Sequence, residues 1–142
     1  MEDLVNLWER QAQVKGVTFK SRLSSDIFVN GDAAQLTRLF SNLLDNALKY
    51  TAVGGSIVLS MVKHQRFVVV RVKDTGMGID PEYLPLVFQR FWRSDRARSR
   101  QVDGSGLGLA IAHAIVQEHK GTITVSSQIG VGSCFAVHLP IV

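Results

Sequence analysis

The chain holds one cysteine, Cys134, in 142 residues. A single thiol excludes an intrachain disulfide and a thiolate metal cluster, and a reducing compartment is its natural setting. No apolar run reaches the ~18 residues that a membrane-spanning helix needs. Met1 to Val5 lacks the charged-then-apolar layout of a signal peptide. Internal repeats and low-complexity segments are absent too. The expectation is a soluble chain, complete or excised from a longer protein.

Hydrophobic residues make up 46% and charged residues 20%, a balance that suits one globular domain with a sizeable core. The net charge of +4 is modest, but its distribution is uneven. Arg90, Arg93, Arg96, Arg98 and Arg100 fall in one stretch, and Asp95 is the one acid among them.

Residues 2–14 read as a helix with Leu4, Leu7, Trp8 and Ala12 on one face, ended by Gly16. Val17, Phe19 and Leu23 alternate with Thr18, Lys20 and Arg22, which predicts a strand, and Ile27 to Val29 suits a short second one. Asp32 with Gln35 resembles a capping box. The spacing of Leu36, Leu39, Phe40, Leu43, Leu44, Ala47 and Leu48 predicts an amphipathic helix ending near Thr51. Two strands follow, one carrying Ile57, Leu59 and Met61 and the other running from Phe67 to Lys73, joined by a turn at Lys63–Arg66. Asp80-Pro81 reads as the cap and first residue of a short helix. Residues 92–103 are polar, Arg-rich and aperiodic, as in a mobile loop. Helical periodicity resumes at Leu107 and stops at Gly121. Thr122–Ser127 and Cys134–Leu139 form a final hairpin around Gly130-Val131-Gly132. The sum is an α+β, two-layer α/β sandwich: one mixed sheet of about five strands with three main helices on one face.

Three segments carry chemistry. Asp74 follows Val68, Val70 and Val72 at period two, so its carboxylate points inward with them. Unpaired burial is costly. A ligand amino group would satisfy it, and so would a cap on the Thr75-Gly76 turn. Gly76 and Gly78 then mark backbone that approaches something closely or takes positive φ. The second segment, Gly104-Ser105-Gly106-Leu107-Gly108-Leu109, opens a helix whose free N–H groups suit phosphate, or serves as a plain hinge. A Walker A loop would need a lysine after its last glycine, and a Rossmann fingerprint would need a strand directly before it. Neither is present. The third segment lies on the amphipathic helix, where Asn42, Asn46 and Lys49 share one edge. Asparagine disfavours helix interiors, so two of them one turn apart signify either a solvated edge or a site. An amide oxygen is a hard ligand for Mg²⁺, Lys49 could neutralise phosphate as a point charge, and Tyr50 offers a flat face for a base.

Taken together, these segments resemble the histidine-kinase branch of the GHKL ATPases. Asn42-Leu-Leu-Asp-Asn46-Ala-Leu-Lys49-Tyr50-Thr51 is similar to its N box, Asp74-Thr-Gly-Met-Gly-Ile79 to its G1 box, and Phe88-Gln-Arg-Phe91 to its F box. Gly104-Ser-Gly-Leu-Gly-Leu109 is similar to its G2 box, and Gly130-Val-Gly-Ser-Cys-Phe135 to its final glycine motif. The resemblance runs in order from about Val17 to Pro140. It implies a Bergerat sandwich and an ATP site with Mg²⁺ as cofactor. Asp74 would accept from the adenine amino group, and Asn46 would ligate the metal, with Asn42 beside it. Lys49 would contact phosphate and Tyr50 the adenine. Gly76, Gly78 and Ile79 would shape the pocket. Residues 92–103 would be the ATP lid, anchored by Phe88 and Phe91. Gly104, Ser105, Gly106, Leu107 and Gly108 would supply its hinge and phosphate contacts. Arg93, with Arg90 behind it, would reach the γ-phosphate.

The resemblance also implies an activity. In gyrase-type and Hsp90-type relatives, a glutamate stands where Asn42 stands here and activates water. Asn42 cannot act as a base, which favours transfer to a protein side chain over hydrolysis. The chain is thus expected to be the catalytic part of a two-component sensor histidine kinase in the cytoplasm, alone or as the cytoplasmic part of a membrane-bound protein. His64, His113, His119 and His138 read as ordinary structural or surface residues, so the phosphoacceptor lies on an absent dimerisation domain. Residues 1–15 would be the tail of that domain's helix, packing on absent partners or on this domain's own core, and 16–142 the ATP-binding domain. A monomer is expected for the isolated domain and a homodimer for the full protein, with a response regulator downstream. An anti-sigma-type serine kinase shares the fold, but Lys49-Tyr50 and the F box favour the histidine branch over it. A non-catalytic ATP sensor is the other alternative. Trp92 alone makes no aromatic platform, so no nucleic-acid partner is expected.

Overall fold

Valine builds the centre of the sheet. Val68, Val70 and Val72 alternate along one strand, and each is at most 1% exposed. β-branched side chains suit a pleated, buried surface, and the face they share is the one the helices cover. The computed structural model describes residues 2–23, 33–89 and 108–140. Five strands are seen among the described residues: β1 Thr18–Leu23, β2 Ser56–His64, β3 Phe67–Asp74, β4 Thr122–Gln128 and β5 Gly132–Pro140. Their order across the sheet is β1-β2-β3-β5-β4. β1 runs parallel to β2, and the other neighbours are antiparallel.

Three helices, α1 Glu2–Lys15, α2 Ala33–Tyr50 and α3 Gly108–Glu118, share one apolar core with the inward face of the sheet. Leu39, Phe40, Leu43, Leu44 and Ala47 form the buried stripe of α2, as the three-and-four spacing predicts. Phe135, Val137 and Leu139 of β5 register with Val72, Val70 and Val68 of β3, so the same face stays apolar across both central strands. Burying a side chain of this size contributes roughly 1.5–3 kcal/mol.

Several expectations are adjusted. Leu7 does not join the packed face of α1. It is 43% exposed, and Val5 is buried with Leu4 and Ala12 instead. The hairpin turn narrows to Gln65-Arg66, because β2 continues to His64 and Gln65 itself takes the left-handed conformation at φ 56°. The helix after Asp80 is a 3₁₀ helix, Pro81–Leu86, with Pro85 inside it. Proline has no N–H to extend an α-helical ladder. Its cap is as read from the sequence: Asp80 accepts from the Glu82 amide at 3.0 Å. At the end of α3 the left-handed residue is Lys120 (φ 59°), not Gly121. Gly121 is needed there for space, since a Cβ would overlap the His138 carbonyl oxygen. Ile27 to Val29 and the Asp32 cap lie outside the described residues.

Candidate functional site

The strand alternation that buries Val68, Val70 and Val72 continues to Asp74, which is 5% exposed. The turn-capping reading of this carboxylate holds. Its Oδ1 accepts from the Gly76 amide at 2.8 Å, which closes the turn, and from the Ser133 amide of β5 at 3.3 Å. Both of these bonds fall on one oxygen, so Oδ2 keeps its acceptor capacity for a ligand donor. Burial pushes the Asp74 carboxyl above its ordinary value, and the two N–H donors pull it partly back.

The loop after Asp74 is stitched on two sides. Met77 N donates to the Tyr50 carbonyl at 3.2 Å, and Gly130 N donates to the Met77 carbonyl at 3.0 Å. Ile79 N donates to Ser127 Oγ at 2.7 Å. Ser127 Oγ in turn meets Ser133 Oγ at 2.8 Å and donates to the Gly132 carbonyl at 3.0 Å. The two glycines of the loop serve the two purposes read from the sequence. A Cβ on Gly76 would overlap the Tyr50 carbonyl oxygen, whereas Gly78 has φ +74° and would strike Gln128.

The third side of the site is the second half of α2. Asn42, Asn46, Lys49 and Tyr50 are all half-buried along it. Asn42 Nδ2 is fully buried and has no hydrogen-bond partner among the described residues. An orphaned buried donor costs about 1–3 kcal/mol, so it marks a place where an acceptor belongs. Lys49 pairs with Asp45 at 2.9 Å, a contact that the reading of Lys49 as a phosphate ligand did not anticipate. The end of α2 and the Asp74 loop thus meet at the Tyr50–Met77 bond. Asn42, Asn46, Lys49, Tyr50, Asp74, Gly76, Gly78 and Ile79 belong to these two connected segments.

Phe88 lies further along. Its ring stacks on His113 of α3 with centroids 5.2 Å apart and meets Phe135 edge-on at 6.1 Å. It therefore packs against both α3 and β5. His113 has a packing role, and His119 Nδ1 lies 2.8 Å from the Ile115 carbonyl oxygen, a local helix contact. Gly108 opens α3, and an added Cβ there would meet nothing within 4 Å. Arg90, Phe91, Arg93, Gly104, Ser105, Gly106, Leu107 and the whole of 92–103 lie outside the described residues.

No group of three or more His, Cys, Asp or Glu side chains with metal-holding geometry occurs among the described residues. A divalent cation here would depend on amide oxygens and on the phosphates of its ligand, which suits Mg²⁺ with its retained waters. Sequence reasoning missed Ser127, Ser133 and Thr51. Each acts through hydrogen bonds to backbone or to another hydroxyl, and no spacing rule announces such contacts. It also missed Lys15, whose ammonium reaches the carbonyls of Leu48 and Lys49.

Proteins similar in sequence and in fold are known. Residues 31–142 match the family described as histidine kinase-, DNA gyrase B-, and HSP90-like ATPase. The sensor histidine kinase RppB of Synechocystis is 41% identical over 142 residues, which is 99% of this chain and 31% of RppB. The chain thus spans about a third of that relative. Among solved structures, the mycobacterial sensor histidine kinase MprB superposes with a TM-score of 0.86 at 32% identity, covering 99% of this chain and 95% of that one. Full-length ShkA, solved in complex with AMPPNP, superposes with a TM-score of 0.86 at 26% identity, covering 99% of this chain and 29% of that one. No helix among the described residues is long and apolar enough to cross a membrane. In sequence and in fold, this chain belongs to the histidine kinase-, DNA gyrase B- and HSP90-like ATPase family, with the five-stranded catalytic-domain architecture of its sensor histidine kinases.

Proposed function

We propose that this chain binds Mg-ATP and donates the γ-phosphate to a histidine on a separate dimerisation domain of the same kinase, with a response regulator as the downstream acceptor. The observation that carries this reading is the pairing of a buried Asp74 carboxylate with the polar edge of α2, held together by the Met77–Tyr50 hydrogen bond. Asp74 Oδ2 accepts from the adenine amino group, and a guanine, with a carbonyl in that place, would set acceptor against acceptor. Asn46 offers its amide oxygen to Mg²⁺, and the buried Asn42 Nδ2 donates toward a phosphate oxygen. Bound Mg²⁺ would neutralise charge on the phosphates as the phosphoryl group leaves. Lys49 exchanges its Asp45 partner for phosphate. Arg93 and the glycine-rich turn from Gly104 to Gly108 complete the phosphate side, with 92–103 as lid.

Asn42 supports transfer over hydrolysis. An amide cannot take a proton from water, and positioning with charge neutralisation suffices for an imidazole acceptor. Residues 1–15 would then continue a helix of the dimerisation domain, in a cytoplasmic kinase that works as a homodimer. The test is calorimetric titration of Mg-ATP and Mg-GTP, followed by addition of a histidine-bearing dimerisation domain in trans with labelled ATP. ATP preference and label on histidine support the reading. Equal affinity for both nucleotides would remove the Asp74 role, and binding without histidine labelling would leave a nucleotide sensor instead of a kinase.

A further inference from the structure

The last four carbonyls of a helix have no partner within it. In α2 these belong to Ala47, Leu48, Lys49 and Tyr50, and each is answered from outside the helical ladder. Thr51 Oγ1 donates to the Ala47 carbonyl at 2.7 Å. Met77 N donates to that of Tyr50 at 3.2 Å. The two between them both accept from one ammonium, Lys15 Nζ, which bonds the Leu48 carbonyl and, at 3.2 Å, the Lys49 carbonyl.

Lys15 is the last residue of α1, so its half-buried charge stands where the negative ends of two helix dipoles converge. No carboxylate is seen to pair with it among the described residues. Burial pulls its pKa below the ordinary lysine value. A second tie lies beside it: Gly54 N donates to the Gly16 carbonyl at 2.8 Å. The turn that Lys15 grips carries Lys49 and Tyr50, and the next link in the chain of bonds is Met77, inside the Asp74–Ile79 loop.

We propose that Lys15 is a positioning residue for the nucleotide site. Its ammonium holds the last turn of α2, and through Tyr50 the Asp74 loop, in register with the end of α1, so that the placement of α1 sets nucleotide affinity. The proposal rests on the reading of this site as the ATP site. It gives α1 a physical route into that site: a shift of α1 withdraws the donor from two carbonyls in the turn that presents Lys49 and Tyr50.

The test compares the 142-residue chain with Lys15→Met, which keeps the stem and loses the donors, and Lys15→Arg, which keeps charge and donors. Mg-ATP affinity is measured by calorimetry at a temperature where circular dichroism shows every variant folded, and amide hydrogen exchange is followed at Met77 and Val70. Lys15→Met is expected to weaken Mg-ATP binding about 3- to 10-fold, and Lys15→Arg to stay within about twofold of the parent. Met77 should exchange faster in Lys15→Met, with Val70 unchanged. A parent that binds Mg-ATP and a Lys15→Met variant that binds it equally well would overturn the proposal, even with a lowered melting temperature, because that is the behaviour of a cap that only stabilises. If the parent binds no Mg-ATP, the reading of the site fails, and Lys15 is judged on exchange alone: faster Met77 exchange in Lys15→Met supports the tie and unchanged exchange overturns it. Where Lys15→Met does not fold, Lys15→Gln, which keeps a shorter neutral donor, enters the same comparison.

Discussion

Ser133 donates its amide to the same Asp74 oxygen that already holds the Gly76 amide, at 3.3 Å and 2.8 Å. One carboxylate therefore fastens β3 to β5 and closes the turn of its own loop, while its second oxygen is left for a ligand. The structural duty of Asp74 and the binding role proposed for it fall on different atoms, and a substitution can separate them.

Asp74→Asn keeps an oxygen for both amides and replaces Oδ2 by a donor. Burial raises the native Asp74 pKa above its ordinary value, so the folded state binds this proton more readily than the unfolded chain does. The contribution of the group to stability consequently grows as pH falls through the raised pKa, and the charged form is a cost at neutral pH. Asp74→Asn should match or exceed the parent in thermal stability at pH 7. A donor facing the adenine amino group should lower Mg-ATP affinity by at least about tenfold. In the parent, affinity should fall as pH drops through the raised Asp74 pKa, opposite in sign to the stability effect. A titration curve for ATP binding that is flat in this range would count against the assignment.

Gly132→Ala should be among the most damaging small changes. Its φ is +147°, and a Cβ would overlap the carbonyl oxygen of Asp74. Overpacking against backbone with an unfavourable φ is expected to cost roughly 2–4 kcal/mol. Gly130→Ala is the comparison, since Gly130 has φ +77° with nothing within 4 Å of an added Cβ, and about 1 kcal/mol is expected. Urea denaturation of both variants checks the ranking, and similar losses would contradict it.

Asn42→Leu removes the buried Nδ2 that has no partner among the described residues. Apolar replacement of an orphaned polar group is neutral or stabilising by up to about 1 kcal/mol. The variant should melt at or above the parent temperature and bind Mg-ATP more weakly. A melting temperature several degrees lower would mean that the amide is satisfied in the apo domain and does not wait for a ligand.

Asp45→Asn releases Lys49 from a pair whose side chains are 33% and 45% exposed. Such an i,i+4 pair contributes about 0.3–0.5 kcal/mol, so stability should barely change. Mg-ATP affinity should rise about twofold as the lysine becomes available to phosphate. The gain should shrink at high salt, where exposed charges are screened. Unchanged affinity at low salt would place Lys49 away from the nucleotide.

Much of the geometry of the candidate site was legible because its signals are local. The inward direction of Asp74 follows from period-two alternation with Val68, Val70 and Val72. The shared edge of Asn42, Asn46 and Lys49 follows from 3.6-residue periodicity. Gly76 and Gly78 declare themselves because few other residues tolerate close backbone approach or positive φ. Leu7 was misjudged for a related reason, and Gly121 follows the end of α3 without taking the left-handed position, which Lys120 holds. Periodicity gives the width of a helix face but not its rotation on the core, and the left-handed position at a helix end can be taken by a lysine.

The sequence by itself determined the α+β class, the alternation of the sheet and the stripe of α2, and it pointed to the residues of the candidate site, because each depends on neighbours a few positions away. Only the tertiary structure decided how the segments hold one another. The strand order that brings Ser133 beside Asp74 and the Ser127–Ser133 hydroxyl contact depend on residues brought together from separate strands. The grip of Lys15 on carbonyls more than thirty positions away is of the same kind. A lysine at the end of an amphipathic helix reads as one more solvated charge, and it becomes a link to the site only where packing sets two helix ends side by side.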